Sequence, residues 1–127
     1  MLPMIKTTQK HFEIFKKEVR KWVDIFQLNG WQIYFKHKTN KTDFGGLATI
    51  LKNKVATFFF TQSFDDAVCS FTEEAIKKTA RHEVIHLLLA RLSCLVSERF
   101  VSENEVEEAE EEIVNILVNY INKKIVH

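Results

Sequence analysis

Two histidines and a glutamate with the spacing His-Glu-x-x-His occur at His82, Glu83 and His86 of the 127-residue sequence. In an α-helix, side chains four positions apart project from one face, so two imidazoles can bind one metal ion at about 2.0–2.1 Å each. Glu83 is rotated by about 100° from His82. Its carboxylate then lies beside the ion, where it can take a proton from a metal-bound water. The three residues predict a mononuclear zinc site with Glu83 as the general base.

Chance is a weak explanation of this motif. With five histidines and 13 glutamates, roughly 2 in 100 random chains of this length would contain the pattern. The segment that follows, Leu87 to Ala90, is apolar and indicates a helix buried on most sides. Ionisable residues are rarely buried without a partner. A hydrogen-bonded core histidine explains one of the two, whereas both together with Glu83 favour a metal site.

A catalytic zinc site needs a third protein ligand and an open fourth position for water. After His86 no further histidine occurs before His127, the last residue. Cys94 follows His86 by two turns of the same predicted helix, too far along the axis to share the ion. The third ligand is therefore expected to be a carboxylate from the acidic run 103–112.

Glu110 is the favoured third ligand, and Glu107 is the alternative. Projected at 100° per residue, Glu110 falls within the apolar stripe of the last helix, where a carboxylate calls for a partner. Glu107 lies at the edge of that stripe or in the first turn. The other glutamates are expected to form a solvated face near a helix N-terminus. The predicted stripe consists of Val106, Ala109, Ile113, Ile116, Leu117, Tyr120 and Ile121.

Three helices are predicted around the motif. Apolar residues at steps of three and four indicate a first helix of about 20 residues, ended by Asn29-Gly30. Ser70 with Glu73 fits a capping box that opens the motif helix, which is expected to run to Leu95. A second capping box, Ser102 with Glu105, opens a last helix that reaches about Lys124. The apolar positions of the first helix are Phe12, Phe15, Val19, Trp22, Val23 and Phe26.

Three strands are predicted between the first helix and the motif helix. Trp31–Phe35 alternates apolar and polar residues, and Lys38–Gly46 has the composition of a loop. Leu47–Leu51 and Val55–Thr61 are the second and third strands, and the latter is rich in β-branched and aromatic residues. The order predicts an α+β fold with a small, mostly antiparallel three-stranded sheet, in a single domain over residues 1–127.

The composition bounds the function classes. Hydrophobic residues make up 46% and charged residues 28%, which is typical of an ordered globular protein. A net charge of +1 gives no strong signal for nucleic acid or an anionic membrane. No stretch approaches the roughly 18 apolar residues of a membrane span. Cys69 and Cys94 are expected to be free thiols in a reducing compartment, so we expect a cytoplasmic protein.

The motif His-Glu-Val-Ile-His resembles the signature of the gluzincin metallopeptidases, a branch of the zincins. The order of elements resembles minimal gluzincins and SprT-like domains, with a motif helix and a C-terminal ligand helix. The resemblance implies a zinc-dependent peptidase acting on a peptide or protein substrate, with Zn2+ on His82, His86 and a glutamate of the last helix. It also implies that Val55–Thr61 is the edge strand along which an extended substrate lies.

The expected reaction is hydrolysis of an amide bond by a zinc-activated water, with Glu83 as the base. His37, Arg81, Arg91 and Tyr120 are candidate donors to the oxyanion, and the sequence does not choose among them. One rival hypothesis is a zincin fold that binds zinc but serves as an interaction module for protein or DNA. Another is a structural α+β protein whose two motif histidines are ordinary core residues. The oligomeric state is left open.

Overall fold

The computed structural model describes residues 4–38, 44–65, 72–98 and 100–126, and its α+β class agrees with the prediction. In chain order the elements are β1 (Met4–Lys6), α1 (Gln9–Ile25), β2 (Gln32–Lys38), β3 (Gly45–Ile50), β4 (Val55–Thr61), β5 (Ser63–Asp65), α2 (Glu73–Leu88), α3 (Ala90–Ser97) and α4 (Glu103–Val126). Within the described ranges no helix is long and apolar enough to cross a membrane.

The three-stranded sheet is mixed, in the order β2-β4-β3, and not mostly antiparallel as predicted. β3 pairs with β4 antiparallel and β2 pairs with β4 parallel, each over the whole strand. The tight β3–β4 connection forces antiparallel pairing, whereas β2 joins the far side of β4 and runs alongside it. The expected edge strand Val55–Thr61 is therefore the central strand. β3 and β2 are the edges.

The core lies between the sheet and the helices α1 and α2. Phe15 of α1 and the inward residues Phe58 and Phe60 of β4 are completely buried. The rings of Phe15 and Phe60 stack with centroids 5.0 Å apart. β4 buries its inward side chains because it has a neighbour on each side and helices above it. Ile76 and Val84 of α2 belong to the same core, which packs α2 against α1 and the sheet.

A second, two-stranded sheet of β1 and β5 was not predicted, because each strand has only three residues. It brings Thr7 next to His37. The Thr7 hydroxyl donates to the Thr61 carbonyl at 2.7 Å, so the His37 Nε2 that lies 2.6 Å from this hydroxyl must be its donor. Burial lowers the pKa of His37, and a hydrogen bond to Thr61 partly offsets this effect.

The helix ends differ from the predicted ones at three places. α1 ends at Ile25, and Gln27 adopts a left-handed conformation (φ 57°) before Asn29-Gly30 is reached. The cap of α2 is Thr72, whose hydroxyl accepts from the Ala75 amide at 3.0 Å; Ser70 lies outside the described residues. The motif helix ends at Leu88, and α3 follows after Leu89, where ψ is 0°.

The cap of α4 is the predicted one. The Glu105 amide donates to the Ser102 hydroxyl at 3.2 Å, and that hydroxyl donates to the Glu105 carboxylate at 3.1 Å. The predicted capping box of the last helix is therefore confirmed.

A close approach of β3 to α2 depends on Gly45. A Cβ atom on Gly45 would lie 2.7 Å from Thr79 Cγ2 of α2 and 3.2 Å from the Phe59 carbonyl oxygen. A Cβ atom on the neighbouring Gly46 would come no closer than 3.8 Å to another atom of the described residues, that of Phe59. Only the first glycine is required by the packing of strand against helix.

We predict that Gly45→Ala lowers the free energy of unfolding by about 1–3 kcal/mol, because the added methyl group overpacks the contact with a stiff β-branched side chain. Gly46→Ala is the matched control and should change it by less than about 1 kcal/mol. Urea unfolding followed by circular dichroism measures both values. Adding Thr79→Ser to Gly45→Ala should restore part of the loss. Equal effects of the two alanine variants would contradict this packing.

Candidate metal centre

α2 positions the motif by its own amphipathic pattern. Ile76, Ala80, Val84 and Leu87 are buried against α1 and the sheet. His82 and His86 lie on the opposite, exposed side of the helix. Because the core face anchors the helix, the two histidines leave it in a fixed direction, one turn apart.

The two imidazoles face each other through their Nε2 atoms, which lie 3.2 Å apart. Their ring centroids are 4.8 Å apart with an interplanar angle of 75°. Two nitrogens bound tetrahedrally to zinc at 2.0–2.1 Å would lie about 3.3–3.4 Å apart. The same distance also suits an N–H···N hydrogen bond between two neutral tautomers. The pair therefore fits two ligands of one zinc ion without rearrangement of the helix.

Glu83 is 8% exposed, although it lies next to an exposed histidine in the sequence. It lines the same cleft as His82 and His86. A mostly buried carboxylate at the wall of an open cleft can reach a reactant while only part of it contacts solvent. This is the placement required of a base that acts beside the metal ligands.

The cleft has a volume of about 650 Å³ and lies between β3 and the helices α2 and α3. On the helix side it is lined by the three motif residues and by Ala90, Ser93 and Cys94; on the strand side it is lined by Gly45, Gly46, Leu47 and Thr49. β3 is an edge strand of the sheet that the described residues form, and the cleft lies along it.

Cys94 lines this cleft, although the sequence placed it far from the histidines. α2 ends at Leu88, and α3, which carries Cys94, begins at Ala90 after Leu89. Cys94 is a free thiol, 3.7 Å from the Glu98 carboxylate. The other cysteine, Cys69, lies outside the described residues. Apolar periodicity gave no signal for the break, because Leu87 to Ala90 contains neither proline nor glycine.

Glu110 is not brought to the histidines. It is exposed on α4, as is the alternative Glu107. Across the described ranges, no three or more His, Cys, Asp or Glu side chains form a group that could hold a metal. The prediction that Glu110 falls in a buried stripe is wrong. Its role as third ligand stays a prediction from the sequence.

The buried stripe of α4 is narrower than predicted. Ala109 is buried, and Val106, Ile113, Ile116 and Tyr120 are half-buried, whereas Leu117 and Ile121 are exposed. α4 is held by Arg91 of α3, which donates to Glu112 at 2.6 Å and to Glu108 at 3.3 Å. The hydrogen bond with Glu112 raises the pKa of Arg91. These ion pairs attach one side of α4 to α3.

The four candidate oxyanion donors point elsewhere, and none of them is among the residues that line the cleft. Arg81 pairs with Glu74 at 3.0 Å and Arg91 pairs with α4. Tyr120 packs on Trp22 with ring centroids 5.6 Å apart, and His37 is bonded to Thr7. The polar residues that do line the cleft, Thr49 and Ser93, had no distinguishing signal in the sequence.

No protein-family model matches the chain, and no curated protein matches it at a significant level. The chemistry assigned to the site therefore rests on the geometry of its residues.

We predict that the purified protein binds one zinc ion, and that His82→Ala or His86→Ala weakens binding by roughly 100-fold or more because one of two preformed ligands is lost. Competition against a chromogenic zinc chelator measures the affinity. His11→Gln is the control, because glutamine at this N3 position can keep the capping box with Thr8. Equal zinc affinity in all four proteins would contradict a site at the histidine pair.

Proposed function

We propose that the chain is a zinc-dependent peptidase in which His82 and His86 hold the metal ion and Glu83 is the general base. The observation that carries the proposal is the 3.2 Å separation of the two Nε2 atoms at the wall of an open cleft. Two exposed histidines with this spacing, beside a carboxylate that is 8% exposed, supply two of the three protein ligands and the base that a hydrolytic zinc site uses.

The edge strand β3 supports a peptide as the substrate. An extended peptide can add to an exposed sheet edge through backbone hydrogen bonds, with alternate side chains directed into the cleft. β3 begins with Gly45 and Gly46, and residues without side chains let another backbone approach closely. The resemblance implied that the substrate lies along Val55–Thr61. We propose instead that it lies along β3, which faces the histidines across the cleft.

Zinc, when bound, supplies a Lewis acid that polarises the scissile carbonyl and lowers the pKa of water. Glu83 supplies the proton transfers: its carboxylate accepts a proton from the attacking water and returns it to the departing amine nitrogen. Ala90, Ser93 and Cys94 form a wall of small side chains on α3, which leaves room for a substrate side chain. The proposal rests on the three motif residues and does not depend on the predicted ligand Glu110.

The test is Glu83→Gln, which keeps the size of the side chain and removes the base. Hydrolysis of a fluorescence-quenched peptide library should fall by about 10²–10⁴-fold, while zinc affinity stays within a few-fold of wild type. Glu73→Gln is the control, because Glu73 lies on the same helix but is exposed in its first turn.

Undiminished hydrolysis by Glu83→Gln would contradict the proposed mechanism. A wild-type protein that binds zinc and cleaves no peptide in the library would favour the interaction module instead. A melting temperature that does not respond to zinc or to chelator would favour the purely structural alternative.

A further inference from the structure

We propose that α4 forms an antiparallel pair with α4 of a second copy of the chain, through an exposed apolar face that consists of Val114, Leu117, Val118 and Ile121. We call this face the α4 stripe. The proposal is independent of the metal centre and of the peptidase activity.

The α4 stripe is a continuous helical face. Its residues have the spacing i, i+3, i+4 and i+7, which places them on one side of the helix over two turns. They are exposed by 42%, 38%, 45% and 52% in sequence order. At 100° per residue their mean direction is rotated by about 110° from that of the residues that pack on the body of the protein. The stripe is thus a second face, separate from the one already used.

α4 is poorly packed for its length. It has 24 residues, and Ala109 is the only fully buried side chain among those described on it. It is also attached by the half-buried Ile113 and Ile116, which pack against the core, and by the ion pairs of Arg91. Tyr120 contacts Trp22 and Phe26 at centroid distances of 5.6 and 6.1 Å. Helices in proteins gain most of their stability from packing of an apolar face. A helix of this length with a free aliphatic face therefore calls for a partner.

The charges along α4 identify the partner as a second copy in the antiparallel direction. The first half, 103–112, carries seven glutamates and no lysine or arginine, and after Glu112 the charged residues are Lys123 and Lys124. A parallel pair would place the seven glutamates beside their own copies. An antiparallel pair brings each acidic half toward the basic end of the other helix and opposes the two helix dipoles.

The register follows from overlaying the stripes. A twofold axis between Leu117 and Val118 sets Val114 against Ile121 of the second copy and completes an isologous interface. It also places Lys124 near Glu110 of the second copy. The two residues are on the same side of the helix pair and are offset along the helix axis by about one residue. Four aliphatic side chains per copy cover less than the roughly 800 Å² per partner of a standard interface. The dimer is therefore expected to dissociate at roughly micromolar concentrations.

The test is sedimentation velocity of the full chain over a concentration range from about 1 to 200 µM. The wild-type protein should shift from monomer to dimer. Val118→Glu should raise the dissociation constant at least 10-fold, because it places a carboxylate in the α4 stripe. Val96→Glu is the matched control, since Val96 is also a helical valine, 73% exposed on α3, and should leave the dissociation constant unchanged.

Charge reversal at two exposed positions of α4 tests the direction of the pair. Lys124→Glu alone should weaken the dimer several-fold, and Lys124→Glu with Glu110→Lys should restore it. A protein that stays monomeric at every concentration would overturn the proposal. A dimer unaffected by Val118→Glu, or one that the charge reversal strengthens, would overturn it as well.

Discussion

The contact between the core face of α2 and the sheet is the constraint on which the site depends. Ile76, Ala80, Val84 and Leu87 fix the rotation of α2 about its axis. A four-residue spacing then leaves His82 and His86 side by side on the opposite face, with Nε2 atoms 3.2 Å apart. In the proposed site the two histidines would need little rearrangement to bind zinc, so little conformational freedom would be lost on binding. The helix, and not a mobile loop, supplies the geometry.

The cleft depends on a second packing contact, the one between β3 and α2. β3 can lie close to α2 only because Gly45 presents no side chain to Thr79. β3 is an edge strand of the sheet in the described part of the chain, and it lines the cleft together with the histidines. Ser93 and Cys94 of α3 also line the cleft. A strand edge, a preformed histidine pair and a partly buried carboxylate meet in one place.

Local signals in the sequence predicted what local physics decides. The capping box at Ser102 and the strand Val55–Thr61 are found where they were predicted, because a capping box and a run of β-branched and aromatic residues are local features of the sequence. Strand pairing could not be predicted in this way. β4 is central because β2 joins its far side in parallel, and strand composition does not specify which strands pair. The expectation that Glu110 lies in a buried stripe was wrong for a related reason. A helical projection shows which residues share a face, but tertiary contacts decide which face is buried, and α4 packs along a narrower line than its apolar residues span.

The central claim is that His82 and His86 bind one zinc ion together. X-ray absorption at the zinc edge of the zinc-loaded protein tests it most directly, because imidazole ligands give characteristic multiple scattering. We predict two imidazole nitrogens at about 2.0–2.1 Å from the zinc ion, and one such nitrogen in His86→Ala. A spectrum without imidazole scattering, or one that is unchanged in the variant, would contradict it.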